Sequence, residues 1–271
     1  MSPGRVFITG GASGLGAAIA QRFAAAGARV CIGDVDSALG EQTRKLLEGK
    51  PQQAHFLYCD VTNEQDLKAA ADWLRDHWGG VDLVVNNAGV SQLGPINDTS
   101  LTDWKWAIDI NLLGVVRGCR AFVPLMQTQG GGTILNIASM AGLVHLPGAG
   151  AYNATKAAVV ALSETLELEL AEHGIKVCVA CPSFFRSNLG QNMRAVDAQS
   201  QEIGRRLVDR ARLSADDIAC LIVKGLARGE MHILPQKEGR SAWRMKRLLP
   251  HALWLRTLRK QLQKLNARFQ R

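Results

Sequence analysis

Tyr152 and Lys156 are spaced so that their side chains would share one face of a helix, one turn apart. A free tyrosine, with a pKa near ~10, is a poor acid–base catalyst at neutral pH. Because a neighbouring ammonium group favours the phenolate, we expect Lys156 to lower the pKa of Tyr152 toward the working range. Ser139 lies thirteen residues upstream of Tyr152, at the end of an apolar run. Any long helix can contain the Tyr/Lys spacing by chance, so its meaning depends on the surrounding segments.

A glycine-rich turn, TGGASGLG, lies between the first apolar run and the first helical segment. Its glycines permit a tight turn, a close approach of the backbone to a pyrophosphate, and packing of the helix on the strand. The N-terminus of the helix adds free N–H groups and a positive dipole end. We therefore predict a dinucleotide-binding turn made of Gly10, Ser13, Gly14, Leu15 and Gly16.

Asp34 closes the second apolar run, twenty residues after Gly14. An acid at this place accepts hydrogen bonds from the hydroxyls of the adenosine ribose and repels a 2′-phosphate. Ser13 and Val35 supply no compensating cation, and Arg29 lies at the far end of the same run. The sequence therefore predicts NAD as the cofactor in preference to NADP. Asp36 suits the alternative role, which is to cap the next helix.

Short β-branched runs alternate with amphipathic stretches along the chain, as in βαβ units around a parallel sheet. We predict strands at Arg5–Thr9, Arg29–Gly33, Ala54–Cys59, Leu83–Asn86, Thr133–Ser139, Lys176–Ala180 and His232–Leu234. We predict helices at 14–26, 37–48, 63–78, 101–128, 151–173 and 215–228. This order indicates an α/β, Rossmann-like, doubly wound parallel sheet of seven strands with helices on both faces. Ligands of such sheets bind beyond the carboxyl ends of the strands.

The 271 residues allow one domain at 1–239, followed by an extension at 240–271. The first residues show no features of a signal peptide and no apolar run is long enough to span a membrane, so we expect a cytoplasmic protein. We predict no metal site, because no His/Cys cluster is evident. Cys178 and Cys181 form C-x-x-C, but within a buried strand they would lie roughly 10 Å apart, too far for a disulfide.

With these residues in view, the chain resembles the short-chain dehydrogenase/reductase family over roughly residues 4–235. TGGASGLG is similar to the family's cofactor turn, NNAG at 86–89 to the motif after its fourth strand, and Ser139, Tyr152 and Lys156 to its catalytic set. Asn111 matches the asparagine that interrupts a long helix. The remaining positions that the resemblance assigns to the cofactor are Asp60, Val61, Asn87, Ala88, Gly89, Pro182 and Ser187.

The resemblance implies a role for each catalytic position. Tyr152 would exchange a proton with the substrate oxygen, and Ser139 would hydrogen-bond the carbonyl or hydroxyl group. Lys156 would hold the nicotinamide ribose and lower the pKa of Tyr152. Asn111 would hold a water that links Lys156 to solvent. The family usually forms dimers or tetramers, so we expect a homo-oligomer.

One segment departs from the family's pattern. After its sixth strand the family shows P-G-x-x-x-T, whereas this chain has Pro182 followed by Ser183, with Ser187 at the last position. Ser187 still offers a hydroxyl to the nicotinamide amide. Ser183 in place of glycine removes backbone freedom near the nicotinamide ring.

The segments after the fourth, fifth and sixth strands should form the substrate pocket, and few of their residues are charged. This favours an apolar secondary alcohol or ketone that is lipid-, steroid- or acyl-like; the alternative is that several of these side chains belong to the core. His145 would either hydrogen-bond the substrate or have no role. Arginines in 188–212 would either bind an anionic carrier or form a solvated helix face. The predicted pocket residues are Leu93, Met140, His145, Leu146, Phe184 and Phe185.

The basic charge is concentrated at the end of the chain. From Arg240 to Arg271 there are ten Lys/Arg and no Asp/Glu, so the net charge of +8 leaves −2 for the first 239 residues. An apolar stripe at three- and four-residue steps predicts a helix there, with Pro250 in its first turn. Its members are Leu248, Ala252, Leu255, Leu258, Leu262, Leu265 and Phe269.

Three interpretations of this extension remain open at this point. The stripe packs on the protein itself or on a neighbouring subunit, or residues 243–271 lie on an anionic membrane, or they bind nucleic acid. We expect no nucleic-acid partner, because interleaved aromatic residues and a dedicated motif are absent. For the whole chain, the alternative to an enzyme is a non-catalytic dinucleotide-binding sensor that acts through the extension. The complete set of four catalytic residues disfavours that alternative.

Overall fold

The computed structural model describes residues 4–47, 53–187 and 193–269, without the side chains of 261 and 264–269. The strands are β1 (Arg5–Thr9), β2 (Arg29–Asp34), β3 (Ala54–Tyr58), β4 (Leu83–Asn86), β5 (Ser91–Leu93), β6 (Gly132–Ile137), β7 (Ile175–Ala180), β8 (Met193–Ala195) and β9 (His232–Ile233). The α-helices are α1 (Gly14–Ala25), α2 (Ser37–Leu47), α3 (Glu64–Trp78), α4 (Leu101–Ile108), α5 (Gly114–Thr128), α6 (Gly150–Leu170), α7 (Ala198–Asp209), α8 (Ala215–Ala227), α9 (Lys237–Leu248) and α10 (His251–Phe269).

The main sheet has seven parallel strands in the order β3-β2-β1-β4-β6-β7-β9. The direction of winding reverses between β1 and β4, and the crevice beyond the carboxyl ends of these two strands is where such sheets bind ligands. The prediction of a doubly wound, seven-stranded sheet is confirmed. Residue 48, the last of a predicted helix, lies outside the described residues.

Each face of the sheet carries its own apolar core. Along β1, Phe7 points into a core that includes Phe122 of α5 and Leu74 of α3. Its neighbours Val6 and Ile8 point to the other face, into a second apolar core. Because strands covered on both sides bury every residue, β1 and β4 are apolar on successive positions rather than alternating.

Short-range signals fix the ends of several helices. The side chain of Asn63 accepts a hydrogen bond from the N–H of Gln65 at the start of α3, which ends at Gly79 in the left-handed conformation. Ser214 and Asp217 form a capping box at the start of α8.

The structure differs from the predicted elements in several places, and α7 was not predicted at all. The predicted helix 101–128 contains a π-helical turn, Asp109–Leu113, between α4 and α5. The predicted helix 151–173 ends in a 3₁₀ turn at Ala171–His173. A two-stranded parallel sheet of β5 and β8, which the sequence did not predict, ties the segment after β4 to the segment before α7.

The extension is not one helix. α9 begins at Lys237, so the expected domain boundary at residue 239 falls inside a helix. Pro250 separates α9 from α10, and Leu248 ends α9 with 81% of its surface exposed instead of joining the stripe. Ala252 is exposed too, whereas Leu255, Leu258 and Leu262 are half-buried. The predicted side-chain positions of Leu265 and Phe269 lie outside the described residues. Within the described residues, no helix has the length and apolar character needed to cross a membrane.

Candidate active site

The glycine turn has the shape that a diphosphate needs. Gly10 and Gly14 have φ of 61° and 53°, a conformation that side chains rarely adopt. A Cβ on Gly16 would lie 2.2 Å from the carbonyl oxygen of Gly10, so α1 packs directly on the turn. Ser13 precedes α1 in an extended conformation and makes no side-chain cap, which leaves the first N–H groups of α1 directed at the cleft.

Asn87 and Thr9 hold this turn against the end of β4. The amide nitrogen of Asn87 donates to the carbonyl oxygens of Thr9 and Gly10, both at 2.9 Å. The hydroxyl of Thr9 accepts from the backbone N–H groups of Asn87 and Ala88, at 3.0 and 3.1 Å. Both side-chain protons of Asn87 are therefore used on the turn itself, so its contribution to a cofactor site is to fix the backbone. Thr9 also fixes this backbone, although it was not among the site residues predicted from the sequence.

Two carboxylates line the other side of this region. Asp34 accepts backbone hydrogen bonds from Ala12 at 3.0 Å and from Asp36 at 3.2 Å. Each carboxylate oxygen keeps capacity for a further donor, such as a ribose hydroxyl. Asp60 accepts from the backbone and the hydroxyl of Thr62, both at 2.8 Å. Asp36 caps α2 through the N–H of Leu39, as expected.

Ser139, Tyr152 and Lys156 meet in the same cleft. Ser139 lies two residues beyond β6 and caps a short 3₁₀ turn by accepting from the N–H of Ala141 at 3.1 Å. Tyr152 and Lys156 lie one turn apart on α6, with the Lys156 Nζ 5.9 Å from the centre of the Tyr152 ring. The 3₁₀ turn packs tightly on α6, since a Cβ on Gly142 would lie 2.5 Å from the carbonyl oxygen of Lys156. This packing sets the position of Ser139 relative to Tyr152.

The acidities of these groups differ from the expectation. Burial raises the pKa of Tyr152, and a hydrogen bond from Ser139 opposes that rise without reversing it. Burial outweighs the other influences on this phenol, and a lowering of the Tyr152 pKa by Lys156 stays a prediction. Burial also lowers the pKa of Lys156 to about 8. At neutral pH the phenol is thus protonated, and the amine is mostly charged.

Asn111 lies behind the catalytic groups and is fully buried in the π-helical turn. Its side chain accepts from the N–H of Val90 at 2.8 Å and donates to the carbonyl of Val90 at 2.9 Å. A Cβ on Gly89 would lie 3.1 Å from the Asn111 Oδ1 and 3.3 Å from the Lys156 Nζ, so the chain at Gly89 passes between these two groups. Asn111 therefore fixes the backbone beside Lys156 and does not itself line the cleft.

The unusual Ser183 has a local partner. Its backbone N–H donates to the Oε1 of Gln236 at 2.9 Å, and the Gln236 amide donates to the carbonyl of Phe184 at 3.3 Å. Gln236 is buried and directly precedes α9. The start of α9 thus holds the loop after β7. Ser183 in place of the expected glycine is compatible with this contact. Pro182 and Ser187 both line the cleft.

These groups surround one cleft of about 1040 Å³. Of the predicted site residues, all line it except Gly16, Asn111 and His145. Sequence reasoning missed the part of the wall that α7 and α9 supply, because no motif marks it. The apolar side chains of the lining include Val90, Leu93, Met140, Val144, Leu146, Pro147, Phe184, Phe185, Met193, Ile203, Leu207, Ala242 and Met245.

The prediction that His145 belongs to the pocket is wrong. His145 is exposed, and its Nδ1 lies 2.9 Å from the carbonyl oxygen of Ala141. Because a carbonyl only accepts, Nδ1 is the donor, and Nε2 is left to accept from the Lys246 Nζ at 3.2 Å. Lys246 also donates to the carbonyl of Leu143 at 2.6 Å. His145 and Lys246 therefore fasten the loop after β6 to α9.

Several arginines between β7 and α8 have partners within the protein. Arg205 and Arg206 pair with Glu202, and Arg194 stacks 3.9 Å over the Trp106 ring. These contacts match a solvated helix face better than an anion-binding lid. Cys178 and Cys181 are free and buried, and burial raises their pKa values to about 11 and about 12, so both stay thiols. Across the described residues, no group of three or more His, Cys, Asp and Glu is arranged to hold a metal.

Comparison with known proteins gives consistent matches. The family model for short chain dehydrogenases matches residues 5–198. A D-threitol dehydrogenase of Mycolicibacterium smegmatis is 36% identical, over 80% of this chain and 83% of its own length. A cyclopentanol dehydrogenase of Comamonas is 35% identical, over 76% of this chain and 83% of its own. A crystal structure of a short chain dehydrogenase/reductase from Burkholderia phymatum, in complex with NAD, superposes with a TM-score of 0.84 at 32% identity and covers 91% of this chain and 94% of the other.

Proposed function

Because the chain belongs to the short-chain dehydrogenase/reductase family, we propose that it is an NAD-dependent oxidoreductase that interconverts an apolar secondary alcohol and its ketone. The observation that carries this proposal is the meeting of Ser139, Tyr152 and Lys156 in the cleft that the glycine turn opens. The non-catalytic sensor gains no support from the relatives, which are named for reactions on alcohols.

The residues present fit a dinucleotide. Gly10 and Gly16 face backbone so closely that a side chain would collide, and the bare N-terminus of α1 suits a diphosphate. Asp34 and Asp60 would hold the adenosine end, with Val61 beside them, and Ala88, Gly89, Pro182 and Ser187 would hold the nicotinamide end, all of them in the lining. When bound, NAD accepts or returns the hydride.

Tyr152 is placed to give a proton to a carbonyl oxygen or to take one from an alcohol. Its raised pKa keeps the phenol protonated at neutral pH, which suits donation to a ketone. Ser139 reaches the same region and would hydrogen-bond the substrate oxygen as negative charge develops on it. Lys156 donates to the carbonyl of Ile137 at 2.9 Å and keeps further protons for a ribose hydroxyl. Asn111 is a positioning residue that holds the chain beside Lys156.

The preference for NAD over NADP is supported by charge. Asp34 lies in the wall of the cleft where the 2′-phosphate of NADP would come. Its carboxylate and the phosphate are both negatively charged, so they would repel each other. The basic side chains in the lining are Lys156 and Lys237. Lys156 is bonded to the end of β6, and Lys237 begins α9, which packs on Met140. Both cations therefore belong to the catalytic side of the cleft and not to the Asp34 side.

The lining supports an apolar substrate. The relatives differ, since one is named for a polyol and another for an alicyclic alcohol. Beyond Ser139 and Tyr152, the walls from the β6 loop and α7 are mostly apolar, and this favours alcohols of the second kind. α9 adds the apolar side chains of Ala242 and Met245, together with the polar ones of Lys237, Glu238 and Ser241. Assembly into a dimer or tetramer and a cytoplasmic location stay predictions.

The test is the rate of NADH formation over a panel of secondary alcohols, from small alkanols and polyols to cyclic alcohols, sterols and 3-hydroxyacyl thioesters. We expect kcat/KM to rise with apolar surface and polyols to be poor substrates. Equal or better turnover of polyols would contradict the substrate class. Absence of turnover with every member, in a protein that binds NADH, would contradict the enzymatic function.

A further inference from the structure

The corner between α9 and α10 exposes apolar side chains in an unusual concentration. Leu248 is 81% exposed, the highest value among the large apolar side chains that the structure describes, and Leu253 is 49% exposed. Pro250 and Ala252 between them are exposed as well. We define this corner as residues 248–253. Water contact with such a cluster is unfavourable, so an exposed apolar tip indicates an interaction surface.

Basic residues flank the corner along the chain. Arg244 precedes Leu248 by one helical turn on α9, and Arg256 follows Leu253 by three residues on α10, so each arginine shares a helix face with its leucine. Both arginines are exposed, as is Arg247, whose guanidinium lies 4.9 Å from the centre of the Trp243 ring. The nearest acid along the chain is Glu238, near the start of α9.

We propose that the corner docks on an anionic lipid surface, with Leu248 and Leu253 entering the headgroup region and the arginines meeting lipid phosphates. The exposed leucines suit the apolar boundary of such a surface, and the arginines around them are attracted to its negative charge. A second copy of this corner carries the same positive charge and would repel it. Nucleic acid would attract the arginines but offers nothing to the exposed leucines.

The apolar stripe of α10 does not carry this inference. Leu255, Leu258 and Leu262 are half-buried and Trp254 is 4% exposed, so that face of α10 is turned toward protein. The exposed apolar surface is the corner at residues 248–253. It lies at the end of α9 and the start of α10, and not along the stripe of α10 that the sequence indicated.

The corner is continuous with the cleft. On α9, Ala242 and Met245 line the cleft, while the end of the same helix forms the corner. A docked corner would hold this wall close to the membrane, where apolar alcohols concentrate. The docking itself does not depend on the proposed reaction, and the two are tested separately.

The test is co-sedimentation of the full chain with vesicles of phosphatidylcholine alone or mixed with phosphatidylglycerol, at low and high salt. We expect binding to the mixed vesicles at low salt and its loss at high salt. Leu248→Glu with Leu253→Glu should weaken partitioning at least about tenfold, since two apolar tips are replaced by charges that the surface repels. Leu46→Glu is the matched control, because Leu46 is 70% exposed on α2, and it should leave binding unchanged.

Several outcomes would overturn the proposal. Binding that the double variant leaves intact would exclude the corner as the contact, as would equal binding of the wild type to neutral vesicles or no binding to either. A double variant that binds vesicles normally but changes its sedimentation coefficient in ultracentrifugation would assign the corner to self-association. Neither leucine lines the cleft, and circular dichroism with the urea unfolding midpoint, which need no turnover, checks that the double variant is folded.

Discussion

The Lys156 Nζ donates a hydrogen bond to the carbonyl oxygen of Ile137 at 2.9 Å, which joins the middle of α6 to the end of β6. Ser139 follows Ile137 by two residues, and Tyr152 precedes Lys156 by one helical turn. This contact and the packing of Gly142 on α6 together set the spacing between the Ser139 hydroxyl and the Tyr152 phenol. Lys156 therefore has a structural role, because it links α6 to β6, in addition to its positive charge in the site.

Tyr152→Phe removes the proton donor and should lower kcat by about 10²–10⁴-fold, the usual contribution of general acid–base catalysis. The Kd for NADH should stay within a few-fold, because the ring and the cleft keep their shape. Stopped-flow turnover and fluorescence titration measure the two quantities. Tyr58→Phe alters the chain's other tyrosine, which is 58% exposed on β3, and should change neither. Near-normal turnover of Tyr152→Phe would assign the proton transfer to another group.

The buried lysine should make stability depend on pH. Its pKa falls from 10.5 to about 8 on folding, so between these values the unfolded chain binds the proton and the folded chain does not. Stability therefore rises with pH through this window, by about 3 kcal/mol for the full shift.

The measurement is urea unfolding of the wild type and of Lys156→Met at several values from pH 7 to 10. The wild type should gain stability relative to the variant as pH rises above 8, because methionine carries no titrating group. Lys68→Met, at an exposed position on α3, controls for the loss of a lysine in general. A constant difference between wild type and Lys156→Met would mean that Lys156 keeps its ordinary acidity in the folded protein.

Asp34→Asn should weaken the discrimination against NADPH. The amide keeps an oxygen for the N–H of Ala12 but loses the charge that repels a 2′-phosphate, so the ratio of the NADPH and NADH Kd values should fall about tenfold. Titration of the intrinsic tryptophan fluorescence with both cofactors gives the ratio. Asp36→Asn is the neighbouring control: it affects the cap of α2 and should leave the ratio unchanged. A wild type that binds NADPH as tightly as NADH would remove the preference altogether.

Met245→Glu should raise KM for apolar alcohols about tenfold or more, because it replaces an apolar side chain of the cleft lining by a charged one. The Kd for NADH should change little. Arg244→Glu introduces the same residue one position earlier, on the exposed side of α9, and should leave the KM of a water-soluble alcohol unchanged. Met245→Leu conserves volume and should stay within a few-fold of the wild type. Equal KM values for all three variants would place the substrate away from α9.

The seven sheet strands and the helices between them, other than α7, were predictable because each signal is local. Val6 to Ile8 and Leu83 to Val85 are continuous apolar runs, as strands covered on both faces require. Turn glycines and capping residues mark where these elements end. The glycine turn and the Ser139, Tyr152 and Lys156 set follow from the same local order.

The unpredicted parts depend on contacts between distant segments. β5 and β8 are three-residue strands that lie about a hundred positions apart, too short to show a periodicity. The α9 wall depends on how closely Gly239 packs against Met140, since a Cβ on this glycine would lie 3.0 Å from the Met140 Cγ. The acidity of Tyr152 likewise depends on contacts between distant segments. Its spacing from Lys156 is local, but its pKa follows from burial by the whole fold.

The placement of α9 has a practical consequence for anyone who shortens or tags this chain. A deletion from residue 240 onward, where the composition changes, would remove Ala242 and Met245 and let bulk solvent into the catalytic chamber. A cut just after Pro250 would spare that side of the chamber and remove only α10. Protein-engineering work should therefore treat the proline, and not the onset of basic residues, as the earliest point at which a shortened chain can end.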